Sequence, residues 1–385
     1  MADVFVERTG SDTAGAVRRL LDRVELPDLR SKTVLLKPNM GRMAGAATGV
    51  VATPAVILAA ARWFLDRGVG RLLLGDSPIT GVKSAEAFTS AGLAPESLPK
   101  GVTFIDLDHD KPVSVSVPAG RLIRRTRVCA PVHAADFIVS IPVMKTHMHT
   151  VVSLGLKNMK GCLFRKEKVK YHQLEGKGDT DKSLDIAIAD LATVLLPHLT
   201  FVDGSVGMEG FGPSTGTTVH PGLLVAGRDC IATDAVAATL MGFDPAAIPI
   251  LRLCAERGLG TIDTKRITVH PDGWRDWRFP FKPAPCSLDY RYDGVAVYDA
   301  GACSACMATV LLFLERYAGE VRQIYGNEPV RIYIGDKNTV TDDPNAILVG
   351  RCTSADKGKG LFIQGCPPVA SDILATIRAR KRSRR

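Results

Sequence analysis

No stretch of this sequence approaches the roughly 20 consecutive apolar residues that a membrane-spanning helix needs, so no membrane partner is expected. Met1 runs straight into Val4-Phe5-Val6 with no basic flank before an apolar run, which is not the build of an export signal. A cytoplasmic chain is therefore expected. Aromatic residues are scarce at 6%. Only Phe164 and Tyr171 interleave with the basic residues between Lys145 and Lys170, too few for the base-stacking platforms of single-strand nucleic-acid binders, so nucleic acid is disfavoured as a partner. No Gly-x-Gly-x-x-Gly and no Gly-Lys-Ser/Thr opens a helix, so neither the dinucleotide fingerprint nor the P-loop is present. Internal repeats are lacking too, as is any low-complexity tract apart from a basic C-terminus.

What is present is ordinary globular composition: 385 residues, 46% apolar and 23% charged. That length suggests two domains, three at most. The net charge of +9 is concentrated in Arg378, Arg380, Lys381, Arg382, Arg384 and Arg385, and without those six it is +3. Such a run reads as a solvated terminus rather than a nucleic-acid surface.

Up to residue 273 short apolar runs alternate with amphipathic stretches. Thr33-Val34-Leu35-Leu36 reads as a buried strand, 54–67 as a helix with Thr53 as N-cap and Pro54 in its first turn, and Arg71-Leu72-Leu73-Leu74 as the next strand. Further strands are expected at 102–105, 137–141, 199–202 and 223–225, with helices at 183–196 and 231–241. This βαβ rhythm predicts an α/β fold, a mostly parallel sheet covered by helices on both faces, with ligand-binding groups at the carboxyl ends of the strands. Residues 274–300, rich in Trp, Phe and Pro without a period, read as a connecting segment. A smaller α/β domain follows at 301–385, with a helix at 307–325, strands at 330–334, 346–349 and 361–363, and a last helix from Val369.

Nine cysteines in a chain of a reducing compartment are expected to be thiols or metal ligands. Cys129, Cys162, Cys230 and Cys254 are scattered in apolar or mixed surroundings and read as buried free thiols. The other five crowd into the last hundred residues. Cys303 and Cys306 stand three apart in a turn that opens a helix, and Cys352 and Cys366 each follow a predicted strand, the latter before Pro367. Sulfurs so placed can reach one centre, with a helix N-terminus favouring the negative charge. A [4Fe-4S] cluster on these four is the leading expectation. The alternatives are structural zinc on the same four, which usually prefers two paired knuckles, and a thioredoxin-like dithiol or plain structural thiols. Cys286 reads as a bystander.

In the larger domain, polar residues follow the strands: Lys37-Pro38-Asn39, Gly75-Asp76-Ser77-Pro78, and Met144-Lys145-Thr146-His147. Between Lys145 and Lys170 stand seven basic residues and one acid, Glu167. Lys157 and Lys160 are three apart and share a face on a helical turn, where they could clamp a phosphate or carboxylate; a solvated basic loop is the alternative. The run 203–213 carries four glycines around Glu209 and suits close backbone approach to a ligand. Asp229 reads as the N-cap of the following helix, and Asp234 has no assigned role.

Leu36-Lys37-Pro38-Asn39, Gly75-Asp76-Ser77, Met144-Lys145-Thr146-His147, Gly155-Leu156-Lys157-Asn158-Met159-Lys160-Gly161, Asp203-Gly204 with Gly207-Met208-Glu209-Gly210, and Asp229 with Ala232-Thr233-Asp234, in that order, resemble the domain of unknown function 362 family over about residues 30–265. The resemblance implies an association with iron–sulfur clusters, which several members carry. Those members resemble bacterial ferredoxins with tightly spaced cysteines, whereas here Cys352 and Cys366 lie 46 and 60 residues beyond Cys306.

The expected function is an iron–sulfur oxidoreductase acting on a small anionic substrate, a carboxylate or phosphate, between the two domains. Lys37, Asn39, Lys157, Asn158 and Lys160 would bind it, and Lys145, Asp76, Glu209 and a proton-moving His147 would be catalytic. With no flavin or nicotinamide motif, electrons would come from an external donor such as a ferredoxin. An aconitase-like hydro-lyase with one open iron, and a non-catalytic cluster- or zinc-binding protein that docks a partner, are the other readings.

Overall fold

The computed structural model describes residues 2–79, 81–174, 180–284, 292, 294–336 and 340–383. Cys286, Arg384 and Arg385 lie outside the described residues. The chain forms two compact units, one of Met1–Lys168 with Asp185–Lys282 and one of Val169–Leu184 with Pro283–Arg385.

The larger unit is built on an 11-stranded sheet whose main path runs Ile267–His270, Ala2–Arg8, Leu223–Gly227, Leu199–Glu209, Phe137–Ile141, Thr33–Pro38, Arg71–Leu74 and Val102–Phe104. Every neighbouring pair on this path is parallel except the two made by Leu223–Gly227. Alternation within the strands separates two cores. Val34, Leu36, Leu72, Leu74, Phe137 and Val139 pack with the helices Thr13–Asp22 and Pro54–Asp66. Leu35, Leu73 and Ile138 point the other way, onto Val132, Met159 and Cys162. Both faces are thus covered, which is why these strands read as unbroken apolar runs.

Several elements differ from the reading of the sequence, among them the unexpected strands Ala2–Arg8, Val143–His147 and Ile267–His270. Leu199–Glu209 is one strand of eleven residues that takes in the first part of the glycine-rich run, with Gly204 and Gly207. Its glycines serve packing: a Cβ at Gly204 would stand 2.7 Å from the Leu223 carbonyl, and one at Gly207 would stand 2.6 Å from that of Met144 and 3.0 Å from the Phe281 ring. Thr53 holds the N-cap position without a capping bond, because its hydroxyl pairs with Ser205 Oγ (2.9 Å) while its amide donates to Asp203 Oδ2 (2.7 Å). Residues 274–282 belong to the larger unit: Trp274 and Phe281 are buried, and the Phe279 and Phe281 amides donate to the carbonyls of Leu240 (2.8 Å) and Met241 (2.9 Å).

The smaller unit has four parallel strands in the order Val295–Ala300, Val330–Gly335, Ala346–Val349, Leu361–Ile363. Val295–Ala300 falls where the sequence suggested a connector, its register with Val330–Gly335 extending over six residue pairs. Helices Ser304–Tyr325 and Ala370–Ser383 complete it, linked by Arg378 to Glu320 at 2.7 Å. The excursion Val169–Leu184 joins this unit because the Cys366 amide donates to the His172 carbonyl (3.1 Å) and the Cys366 carbonyl accepts from the Leu184 amide (3.4 Å). Among the described residues no helix is long and apolar enough to cross a membrane.

Candidate functional site

The carboxyl edge of the larger sheet carries a buried basic network. Lys37 ends its strand with its ammonium 2.7 Å from Asp76 Oδ1, both side chains at most 2% exposed. It also donates to Asn158 Oδ1 (2.9 Å), while Asn158 Nδ2 donates to the Lys37 carbonyl (3.1 Å) and to Ser140 Oγ (2.9 Å). Asp76 accepts further from the Met40 (2.8 Å) and Ser77 (2.9 Å) amides. Asn158 therefore bridges the ends of two neighbouring strands through one side chain and Asp76 neutralises Lys37; both are structural partners within the network.

Lys145 lies in the strand Val143–His147, its ammonium donating to Asn39 Oδ1 (2.7 Å) and to the carbonyls of Val50 (2.7 Å) and Pro213 (3.4 Å). Burial, together with Arg42 and Lys157, brings its pKa down to about 7. Lys157, on the short helix Gly155–Met159, is lowered to about 8 by burial, with Asp185 opposing and Arg42 reinforcing the shift. Lys160, in the turn that follows, is held well below the usual lysine range by burial and by Lys157 and Lys168. The basic segment is therefore packed rather than solvated in its first half: Lys145 and Lys160 are buried and Lys157 is half-buried.

Gly161 is required by this arrangement. A Cβ there would stand 2.7 Å from Lys37 Nζ and 3.0 Å from Asp76 Oδ1, tighter than real side chains tolerate. Gly161→Ala is expected to destabilise the chain by about 1–3 kcal/mol, the usual range for overpacking a rigid interior. Urea unfolding of the full chain measures it; an unchanged midpoint would mean that the ion pair yields freely.

The other expected catalytic groups go elsewhere. Glu209 accepts from the Lys282 amide (2.8 Å) and faces its ammonium at 3.8 Å. His147 is buried at the end of its strand, its Nδ1 accepting from the His149 amide (3.0 Å) with the two rings 5.4 Å apart. Asp229 is the N-cap of Cys230–Leu240, accepting from the Ala232 amide (2.9 Å). Asp234 caps a different helix, accepting from the amides of Gly155 (2.7 Å) and Leu156 (2.8 Å). Ser77 donates to Asp108 Oδ2 (2.5 Å) and accepts from Lys168, which also faces Asp108 at 3.4 Å.

In the smaller unit the strand ends carry the sulfur. Cys303 is the N-cap of Ser304–Tyr325 and Cys306 lies in its first turn, Cys352 follows Ala346–Val349, and Cys366 follows Leu361–Ile363. In a parallel sheet these ends share one edge. A hydrogen bond from the Cys306 thiol, the amides of Cys306 and Ala305, and the charge of Lys182 bring Cys303 down to about 5 against the opposing effect of burial. Cys303 is thus a thiolate at neutral pH, and Cys306, the donor, is held well above the usual thiol range. Cys306 also feels the charges of Cys366 and Cys352, and Cys352 those of Cys366 and Cys303. A Cβ at Gly350 would come within 3.2 Å of Cys306 Sγ, so glycine leaves room beside the sulfur. Among the described residues no three His, Cys, Asp or Glu side chains form a ready single-ion site. The donor set fits iron–sulfur chemistry: all sulfur, one already ionised, with helix amides directed at it.

Arg42, Asp185 and Lys182 went unmarked in the sequence. Arg42 follows Lys37-Pro38-Asn39 closely enough to have been suspected; Asp185 and Lys182 carry no local signal.

Comparison with known proteins bears on this chain at three points. A protein of Synechocystis sp. described as thylakoid-associated is 29% identical over 228 residues, covering 59% of this chain and 68% of the relative. A crystal structure of a Thermotoga maritima protein, a target of the Northeast Structural Genomics Consortium, is 14% identical with a TM-score of 0.35, and the match covers 63% of this chain and 58% of that one. The family profile described as "Domain of unknown function (DUF362)" matches residues 34–239, which hold Lys37, Asp76, Lys145, Lys157 and Lys160. This chain belongs to the domain of unknown function 362 family.

Proposed function

We propose that this chain is an iron–sulfur oxidoreductase that carries a [4Fe-4S] cluster on Cys303, Cys306, Cys352 and Cys366 and binds a small anionic substrate at Lys145, Lys157 and Lys160. The arrangement that carries the reading is Cys303 beside Cys306 at a helix start, with Cys352 in electrostatic reach of both and Cys366 in reach of Cys306 and Cys352. Once bound, a cluster with four protein thiolates supplies one-electron transfer. Lys37, Asn39 and Asn158 hold the basic groups in place, and His147 is the group to move a proton. Electrons would arrive from an external donor such as a ferredoxin. Eight described cysteines stand as free thiols, which suits a reducing compartment, and we read the chain as cytoplasmic.

Anaerobic purification followed by iron, sulfide and zinc analysis tests this. A brown protein absorbing near roughly 400 nm, with about four irons and four sulfides per chain, is the expected result. Cys306→Ser and Cys366→Ser, which remove the two buried thiols of the set, are expected to lose the iron, whereas Cys254→Ser keeps it. Stoichiometric zinc without sulfide, or iron retained in both serine variants, would sink the proposal. Cys352 is exposed, and a cluster that survives Cys352→Ser would turn the reading toward a hydro-lyase with one open iron.

A further inference from the structure

We infer that the buried lysine set of the larger unit is a receptor for a compact phosphate-type dianion, inorganic phosphate or the terminal group of a phosphate monoester, and that Lys160 is the side chain that engages it. This rests on the reading above that the set binds an anion, and it names the anion's class.

Lys160 is the observation that leads there. Its side chain is only 8% exposed; among the described residues no hydrogen bond or ion pair reaches its ammonium, which keeps a small contact with solvent. The charges that act on it, Lys157 and Lys168, are both positive. A mostly buried ammonium with no counter-charge beside it is poorly compensated, and its remaining solvent contact leaves it open to an anion that would complete it. Its surroundings repeat the pattern. Lys145 spends its three hydrogen bonds on neutral oxygens, those of Asn39, Val50 and Pro213. Arg42 acts on both Lys145 and Lys157. Carboxylates oppose this only in part: Asp185 acts on Lys157, and Asp76, which acts on Lys145, is already paired with Lys37. Lys168 has Asp108.

A single negative charge would answer one of these lysines. Lys157 and Lys160 are three apart on consecutive turns and so present their ammonium groups to one side, with Lys145 within electrostatic reach of Lys157. Several lysines in electrostatic reach of one another match the oxygens of a phosphate, which lysine engages as a point charge. A dicarboxylate places its two charges at separated ends and meets such a set less well. Because burial and mutual repulsion strip protons from these lysines, a dianion that neutralises them restores the protons, so at pH 8, where phosphate is already mostly the dianion and releases few protons of its own, binding is accompanied by net proton uptake.

Calorimetric titration of the full chain at pH 8, in two buffers of different ionisation enthalpy, tests this with inorganic phosphate, glycerol phosphate, succinate and acetate. Phosphate or glycerol phosphate is expected to bind at least tenfold more tightly than succinate or acetate, with net uptake of protons. Whichever of the two phosphates binds more tightly identifies the free ion or the monoester. Lys160→Met is expected to weaken phosphate binding tenfold or more. Should that variant not fold, proton uptake by the unaltered chain still decides the matter. Equal affinity for acetate or succinate, absence of proton uptake, or unchanged phosphate binding in a folded Lys160→Met overturns the dianion assignment alone. Failure of all four anions to bind overturns the anion site itself and this inference with it.

Discussion

Asp76→Ala is expected to destabilise the chain by about 3–5 kcal/mol, the cost of stranding one charge of a buried pair. The carboxylate sits 2.7 Å from Lys37 Nζ, with the two side chains 1% and 2% exposed, so water cannot replace it. It also accepts from the amides of Met40 (2.8 Å) and Ser77 (2.9 Å), and alanine leaves both without a partner. Asn158 Oδ1 would remain as a neutral acceptor for Lys37, too weak to offset an ammonium. Lys37→Met on its own strands the opposite charge and is expected to cost a similar amount. The double variant Lys37→Met, Asp76→Leu should recover much of the loss, since removing both members of a buried pair is often close to neutral. Urea unfolding followed by circular dichroism measures all three. A loss below about 1 kcal/mol in Asp76→Ala would mean that the pair is hydrated in solution.

The apolar periodicity of the sequence was enough to place six of the eight strands on the main path of the sheet, Ala2–Arg8 and Ile267–His270 being the two it left unmarked. Val34, Leu35 and Leu36 are buried on alternating faces, and a run with no polar face can belong only to a strand covered on both sides. The cysteines were legible for a related reason: strand ends and a helix start are the places where a parallel sheet gathers side chains from distant parts of the chain. Other features depend on partners that no local pattern names. Asp76 could be seen to follow a strand, but its pairing with Lys37 is set by neighbouring strands in parallel register, and it turns a catalytic candidate into a structural one. The glycines of 203–213 suggested close backbone approach to a ligand, because glycine leaves the backbone bare. Gly204 and Gly207 lie in a strand where Met144, Leu223 and Phe281 leave no room for side chains, and those contacts come from other segments of the chain. The excursion Val169–Leu184 is assigned by two backbone bonds to Cys366, which sequence cannot show.

Asp234 links this buried chemistry to pH. It is 1% exposed, and its two oxygens accept from the amides of Gly155 (2.7 Å) and Leu156 (2.8 Å), so it fixes the start of the helix that carries Lys157 and Asn158. Those two bonds favour the ionised form, but burial outweighs them, with Asp229 adding to it, and the pKa rises from 3.8 to about 7. The sign follows from proton counts. Between these two values the folded chain keeps a proton that the unfolded chain has released, so this group makes stability fall as pH rises through that window and stops contributing to the slope above it. Lys145 and Lys157 work in the opposite direction at higher pH. Their folded values of about 7 and about 8 lie below the unfolded 10.5, so in that interval the unfolded chain holds more protons and stability rises with pH. Asp234→Asn removes the first limb. An amide can accept from only one of the two helix amides, so the variant is expected to be less stable at low pH, but its profile between pH 4 and 7 should lack the downward slope of about 1 kcal/mol per pH unit that one such group produces. Urea midpoints across pH 4–10 for the two proteins measure this as a difference, which cancels other buried acids such as Asp203. Parallel profiles would show that Asp234 stays ionised throughout and that the helix amides, rather than burial, govern its charge.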